Sequence, residues 1–172
     1  MYELEFWDVT QALLRNAFDQ AREGACGRIE VELRADALRV RDDGEGLPVH
    51  PHPFSKRPLL EVILMGPRRA DPNTLARVNA CCLWLEVEVA RDGRRFRQRY
   101  EFARPIGELE ELGAAAGQRG TVVVAAPAEG QAPSFPRLVD LARELGRDLP
   151  RRVEVEVRDV RSDEVERLVL GG

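Results

Sequence analysis

Apolar residues recur along this chain with two periods, near 3.6 in some segments and 2 in others, and the two alternate. From Thr10 to Glu23 the apolar positions Ala12, Leu13, Ala17, Phe18 and Ala21 share one helical face, and Gly24 ends the run. Ile29, Val31 and Leu33 then alternate with charges, as do Leu38 and Val40, which predicts a hairpin of strands over 28–33 and 37–41. A proline-rich loop from Pro48 to Pro58 leads into a short apolar helix, Leu59–Met65. Gly66 to Pro72 reads as a loop, with Asn73 or Thr74 opening a helix to about Cys82. Leu83, Leu85, Val87 and Val89 alternate up to Asp92-Gly93, a strong hairpin turn. Phe96, Gln98, Tyr100 and Phe102 form one face of the return strand, and Thr121–Ala126 is a further strand. Ser134 caps a helix through about Leu149, with Leu138, Leu141, Ala142 and Leu145 inward. Val153, Val155 and Val157 make the last strand. Few helices and mostly hairpin-linked strands predict an α/β (α+β) two-layer sandwich, its helices covering one face of a mixed sheet.

Composition narrows the class. At 172 residues the chain suits one domain, 1–172, with a real core. Hydrophobic residues at 44% and charged residues at 33% describe an ordinary globular protein. Lys56 is the only lysine, so nearly all positive charge is arginine, and the net charge of −4 argues against a dedicated nucleic-acid binder. No apolar run approaches ~18 residues, so no membrane span is expected. The start lacks the basic and apolar parts of a signal peptide, and the expected location is cytoplasmic. Three cysteines, two of them adjacent, make no disulfide framework.

The segment with chemical content is Val40-Arg41-Asp42-Asp43-Gly44-Glu45-Gly46-Leu47-Pro48. An acidic residue leaving a strand, followed by two glycines one residue apart, forms a turn that a flat ligand can approach closely. The upstream helix carries Asn16-Ala17-Phe18-Asp19, and together they suggest a nucleotide pocket. Taken alone, Asp-Asp-Gly-Glu-Gly reads as a plain turn between a strand and a loop.

The order and spacing of these motifs resemble the ATPase domain of the DNA gyrase B protein, a Bergerat-fold (GHKL) domain. Asn16-Ala17-Phe18-Asp19-Gln20-Ala21 with Gly24, Cys26 and Ile29-Glu30-Val31 is similar to the family's first helix and next strand. Asp42 to Val49 resembles its D-[ND]-G-R-G-[IL]-P motif, and His52-Pro53, Leu60-Glu61-Val62, Val78-Asn79-Ala80, Trp84 to Val89, Arg91-Asp92-Gly93 and Arg97 to Tyr100 follow in the family's order. Gly120-Thr121 resembles the T-G-T strand start, so the match covers most of 12–160. The resemblance implies that Asp42 accepts a hydrogen bond from the adenine amine, assisted by Thr121, and that Gly44 and Gly46 leave room for base and sugar. It implies that Asn16 supplies a hard oxygen to the Mg²⁺ that travels with ATP or ADP.

Three departures from the family change the expected activity. The family's catalytic Glu, one turn before the magnesium Asn, is replaced by Ala12, and loss of a general base typically costs roughly 10²–10⁴ in rate. Asp8 lies a further turn back, about 6 Å along the axis. Gly66 to Arg77 stands where the family has a long lid ending in a glycine-rich phosphate cradle; losing two charge-assisted bonds of ~2 kcal/mol weakens binding by roughly 10³-fold. Glu45 replaces the family's Arg. Transducer, Toprim and DNA-cleavage domains are not expected, nor is topoisomerase activity by the chain alone. The expectation is a lidless adenine-nucleotide binder with weak affinity and little or no hydrolysis and no catalytic residue of its own. The alternative is a pseudo-ATPase that serves as a protein-interaction scaffold.

Other features read both ways. Arg68 and Arg69 either reach a phosphate in place of the lost cradle or form a solvated loop pair. Arg95, Arg97 and Arg99 are either a basic stripe or the polar face of an amphipathic strand. His50 and His52 lack companion ligands for a metal, and Cys81-Cys82 suit a packed helix end.

Overall fold

A computed structural model describes residues 4–66 and 75–172. Arg68, Arg69 and the helix start expected at Asn73 or Thr74 lie outside the described residues.

The first helix, α1 (Phe6–Arg22), begins a turn earlier than expected. Glu5 and Asp8 form a capping box, with the Glu5 amide donating to Asp8 Oδ2 at 3.0 Å. Thr10 is no cap; its hydroxyl donates to the Phe6 carbonyl at 2.8 Å inside the helix. Gly24, with φ +77°, ends α1 as expected. The helix's inward face, including Leu13, Leu14 and Phe18, is fully buried, which stabilises the fold by roughly 2 kcal/mol or more per large side chain.

The sheet follows from the alternating segments. In chain order its strands are β1 (Arg28–Leu33), β2 (Leu38–Asp42), β3 (Cys82–Arg91), β4 (Arg94–Glu101), β5 (Arg104–Ala114), β6 (Gly120–Pro127), β7 (Val153–Asp159) and β8 (Glu164–Leu170). They form one eight-stranded sheet in the order β5-β4-β3-β6-β2-β1-β7-β8, antiparallel except for the β1–β7 pair. The helices α2 (Leu59–Met65), α3 (Leu75–Ala80) and α4 (Phe135–Leu145) complete the α+β sandwich of four helices on a mixed sheet. Leu38, Val40, Leu85, Val87, Val89, Val123, Val153, Val155 and Val157 point into the core beneath the helices.

Several boundaries differ from the sequence reading, each for a physical reason. Val153–Asp159 is not the last strand, because β8 pairs antiparallel with it from Glu164 to Leu170. At this sheet edge β8 carries apolar residues on both faces, with Leu168 and Leu170 half-buried and Val165 and Val169 exposed, so period-2 contrast is weak. β5 has no counterpart in the sequence reading. Its pairing with β4 shifts register twice, and Pro105, Gly107 and Gly113 interrupt its pattern. Phe102 does not share the face of Phe96, Gln98 and Tyr100. It sits with Ala103 in the β4–β5 turn, both at positive φ, and is 65% exposed. Leu83 is exposed because β3 is irregular between Cys82 and Trp84. Ser134 occupies the N-cap of α4 without a side-chain cap bond, and α4 stops at Leu145 rather than near Leu149. Gly146 follows that stop and lies against Leu170, which a Cβ there would strike.

No helix among the described residues is long and apolar enough to cross a membrane. The tightest backbone approach is at Gly120, where φ is +117° and an added Cβ would collide with the Asp42 carbonyl. Gly120→Ala is therefore expected to lower stability by more than about 2 kcal/mol in urea denaturation; an unchanged midpoint would contradict this packing.

Candidate functional site

β2 ends on Asp42, in register with Thr121 of β6 and Ile29 of β1. Strand alternation turns the Asp42 side chain to the helix face, where the residue is only 5% exposed. The Gly44 amide donates to its Oδ1 at 2.9 Å. Burial pushes the carboxyl up to about 6, against the pull of the Gly44 and Thr121 backbone groups, and the Asp43 charge adds to the rise.

The second acid of the motif has a separate role. Asp43 Oδ1 accepts from the Gly27 and Arg28 amides at 2.8 and 2.9 Å, which locks the turn onto the start of β1. Arg119 donates to the Asp43 carbonyl at 3.2 Å and the Ala25 carbonyl at 2.9 Å. Arg91 donates to the Gly46 carbonyl at 2.6 Å, and the Leu47 amide to Thr121 Oγ1 at 3.1 Å. The loop is thus held from several directions.

The two glycines do different things. A Cβ on Gly44 would stand 2.8 Å from Asp42 Oδ1 and 3.0 Å from Gln20 Oε1, so only glycine fits between the carboxylate and α1. Gly46, with φ +81°, lies against the backbone instead, where a Cβ would meet the Ala90 and Gly120 carbonyls at 2.9 and 3.2 Å.

Gln20 brings α1 into the site, and Asn16 lies one turn before it on the same side of the helix. Asn16 is half-buried, and its carboxamide makes no side-chain hydrogen bond among the described residues. Ala12, the next turn back, is 1% exposed and packed in the core. Asp8 holds the capping box, so its carboxylate is engaged at the helix start. Glu45 is exposed.

The fold thus brings Asp42, Gly44 and Thr121 together, sets Gln20 of α1 beside them with Asn16 one turn earlier on that helix, and places Gly46 on the sheet side of the loop. Sequence reasoning missed Gln20, for which the i+4 spacing from Asn16 is the available signal. It also missed Asp43, Arg91 and Arg119 as loop anchors, for which no local pattern exists. Behind the loop, Cys26 is an inert thiol: burial pushes it up to about 12, and the two aspartates add to the shift.

Toward the far side of the helices, Glu61 of α2 is buried and accepts from Gln98 Nε2 at 2.8 Å, with Arg57 at 3.4 Å. Asn79 Nδ2 donates to the Leu64 carbonyl at 3.1 Å and so ties the two segments that flank residues 67–74. Among the described residues no group of three or more His, Cys, Asp or Glu could hold a metal ion.

Comparison with known proteins gives the same direction. No family model matches the chain. The DNA gyrase B protein of Thermotoga maritima is 37% identical over 123 residues, covering 63% of this chain and 19% of the relative. The DNA topoisomerase 4 B protein of Escherichia coli is 32% identical over 126 residues, 64% of this chain and 20% of the relative. The DNA gyrase B protein of Haloferax volcanii is 32% identical over 179 aligned residues, 91% of this chain and 28% of the relative. The chain is thus homologous to gyrase-type B proteins, as a gyrase-B-like GHKL domain would be, and spans under a third of the length of these relatives.

A raised carboxyl pKa is a stability cost at neutral pH. Between pH 4 and 6 the native state holds a proton on Asp42 that the unfolded chain has released, so stability falls as pH rises through that window. Asp42→Asn keeps an acceptor for the Gly44 amide without the charge. In denaturant titrations it is expected to exceed the parent at pH 8 by up to about 3 kcal/mol and to match it below pH 4. A variant less stable than the parent at pH 8 would contradict this.

Proposed function

We propose that, as a homologue of the gyrase B protein, the chain binds an adenine nucleotide through the Asp42 pocket and hydrolyses it poorly or not at all. The observation that carries this is a buried carboxylate held by few backbone donors, at the end of a central strand and beside a glycine. Such a group destabilises an empty fold and is useful to a ligand that brings a donor. The amine of adenine supplies that donor. Thr121 Oγ1 already accepts from the Leu47 amide, so its hydroxyl proton is free to meet the neighbouring ring nitrogen. Gly44 adds no side chain beside the carboxylate.

Mg²⁺ with ATP or ADP fits one feature of the site, the uncommitted carboxamide of Asn16. Its oxygen is a hard ligand, and when bound the ion would offset phosphate charge. The chain's own contribution to hydrolysis is meagre. Ala12 offers no base where the related domains are expected to carry one, and Asp8 is tied into the cap of α1. Residues 67–74 fall where the lid would stand, and the sequence from Gly66 to Arg77 holds a single glycine, unlike a glycine-rich phosphate cradle. Weak binding follows. Cytoplasmic localisation and the absence of DNA binding by this chain alone are parts of the same proposal.

The second reading, a pseudo-ATPase scaffold that binds a protein and no nucleotide, draws on the same core-packed Ala12. Calorimetry separates the two. Mg-ADP and Mg-ATP are expected to bind with Kd on the order of 1 mM, and Asp42→Asn to abolish the signal. No heat at several millimolar would leave the scaffold reading. Affinity is also expected to rise as pH passes upward through about 6, because only the ionised Asp42 accepts the amine fully; a flat profile from pH 5 to 8 would count against Asp42 as the base acceptor. Phosphate release from ATP should stay at background, and turnover that survives Asp8→Ala would show that Ala12 has been misread.

A further inference from the structure

The sheet face opposite the helices carries a polar cavity of about 170 Å³ directly behind the Asp42 backbone. Arg39 and Arg41 of β2, Arg95 of β4 and Arg119 before β6 line it, and the facing carboxylate is Glu88 of β3. The side chain of Asp42 turns to the other face and leaves only its backbone here. Four guanidinium groups therefore meet one carboxylate.

Their charge is poorly compensated. Arg39 and Arg41 each reach the same Glu30 oxygen at only 3.8 Å, while Arg28 takes the other oxygen at 3.0 Å. Arg119 is bonded to backbone carbonyls rather than to a carboxylate. Arg95 is the decisive residue. Its row neighbours are neutralised, Arg97 by Glu110 at 2.9 Å and Arg99 by Glu101 at 3.1 Å and by stacking over Trp84 at 4.6 Å. The side chain of Arg95 makes no hydrogen bond or ion pair with the described residues, and its buried Nε has no acceptor. A buried donor left without a partner is unfavourable and marks a place where an acceptor is wanted.

We propose that this cavity binds a small phosphate-type oxyanion, at a site separate from the adenine pocket. A tetrahedral anion offers several oxygens to convergent guanidinium forks, which a planar or monodentate anion cannot match as well. An extended nucleic-acid backbone is the wrong occupant, because Glu88 lines the cavity, Glu30, Glu86 and Glu110 pair with arginines on neighbouring strands, and the chain is net negative. Arg119 also holds the loop carbonyls of Asp43 and Ala25, so an anion on it sits against the back of the nucleotide loop.

The test is a calorimetric titration of the full chain with inorganic pyrophosphate, in chloride buffer without nucleotide. The parent is expected to bind saturably, Arg95→Gln to bind about tenfold more weakly or worse, and Asp42→Asn to bind like the parent. Should Arg95→Gln fail to fold by circular dichroism, Arg39→Gln takes its place with the same expectation. The proposal is overturned if pyrophosphate gives no heat at about 10 mM, a concentration that would detect even weak binding. It is equally overturned if Arg95→Gln matches the parent, if Asp42→Asn alone loses the signal, or if a short DNA duplex displaces pyrophosphate. Because this readout uses no adenine, a failure of the nucleotide reading leaves it untouched.

Discussion

One buried carboxylate sets the terms for this domain. Asp42 sits at the end of a central strand, under helices, where an ionised group is disfavoured and the protein supplies only amide partners. The surrounding structure is arranged to hold it there. Asp43 fastens the turn to β1, Arg91 and Arg119 fasten the loop from β3 and from the approach to β6, and Gly120 lets the β6 backbone lie against the Asp42 carbonyl. A group that weakens the empty fold yet is clamped by so many contacts is best understood through what it offers a ligand.

The two faces of the sheet divide the work. Beneath the helices the strands present mainly Val, Leu and Ile, and the buried polar side chains they add there are Asp42, Thr121, Asp159 and Gln98, the last paired with Glu61. The opposite face is an alternation of Arg and Glu, mostly paired at about 3–4 Å and partly exposed, where each pair contributes little. Against that background an unpaired Arg95 stands out more than any single ion pair does. Arginine in place of lysine suits such a face, since planar forks can share one acid among several strands.

Much of the fold is legible in the sequence where one face is buried and turns carry their own signature. α1, the β1–β2 hairpin, α2 and the Asp92-Gly93 turn, with φ of 51° and 77°, follow from periodicity and turn chemistry. The misses fall at the sheet edges. β5 is bulged, β8 is apolar on both sides, and the Phe102-Ala103 turn adopts positive φ without a Gly, Asn or Asp to announce it. The site is legible as a list of residues but not as a division of labour. Periodicity does not tell that Asp43 anchors the turn, that Gly46 faces backbone rather than the Asp42 carboxylate, or that Gln20 borders Gly44, because each depends on contacts distant in sequence.

The proposed function rests on adenine meeting Asp42, whatever has become of the phosphate half. An NMR titration with Mg-ADP on amide-labelled protein tests that meeting residue by residue. Saturable shifts are expected, centred on the amides of Gly44, Leu47 and Thr121 and absent in Asp42→Asn. Shifts centred on the Arg95 face alone, or none at several millimolar ligand, would contradict it.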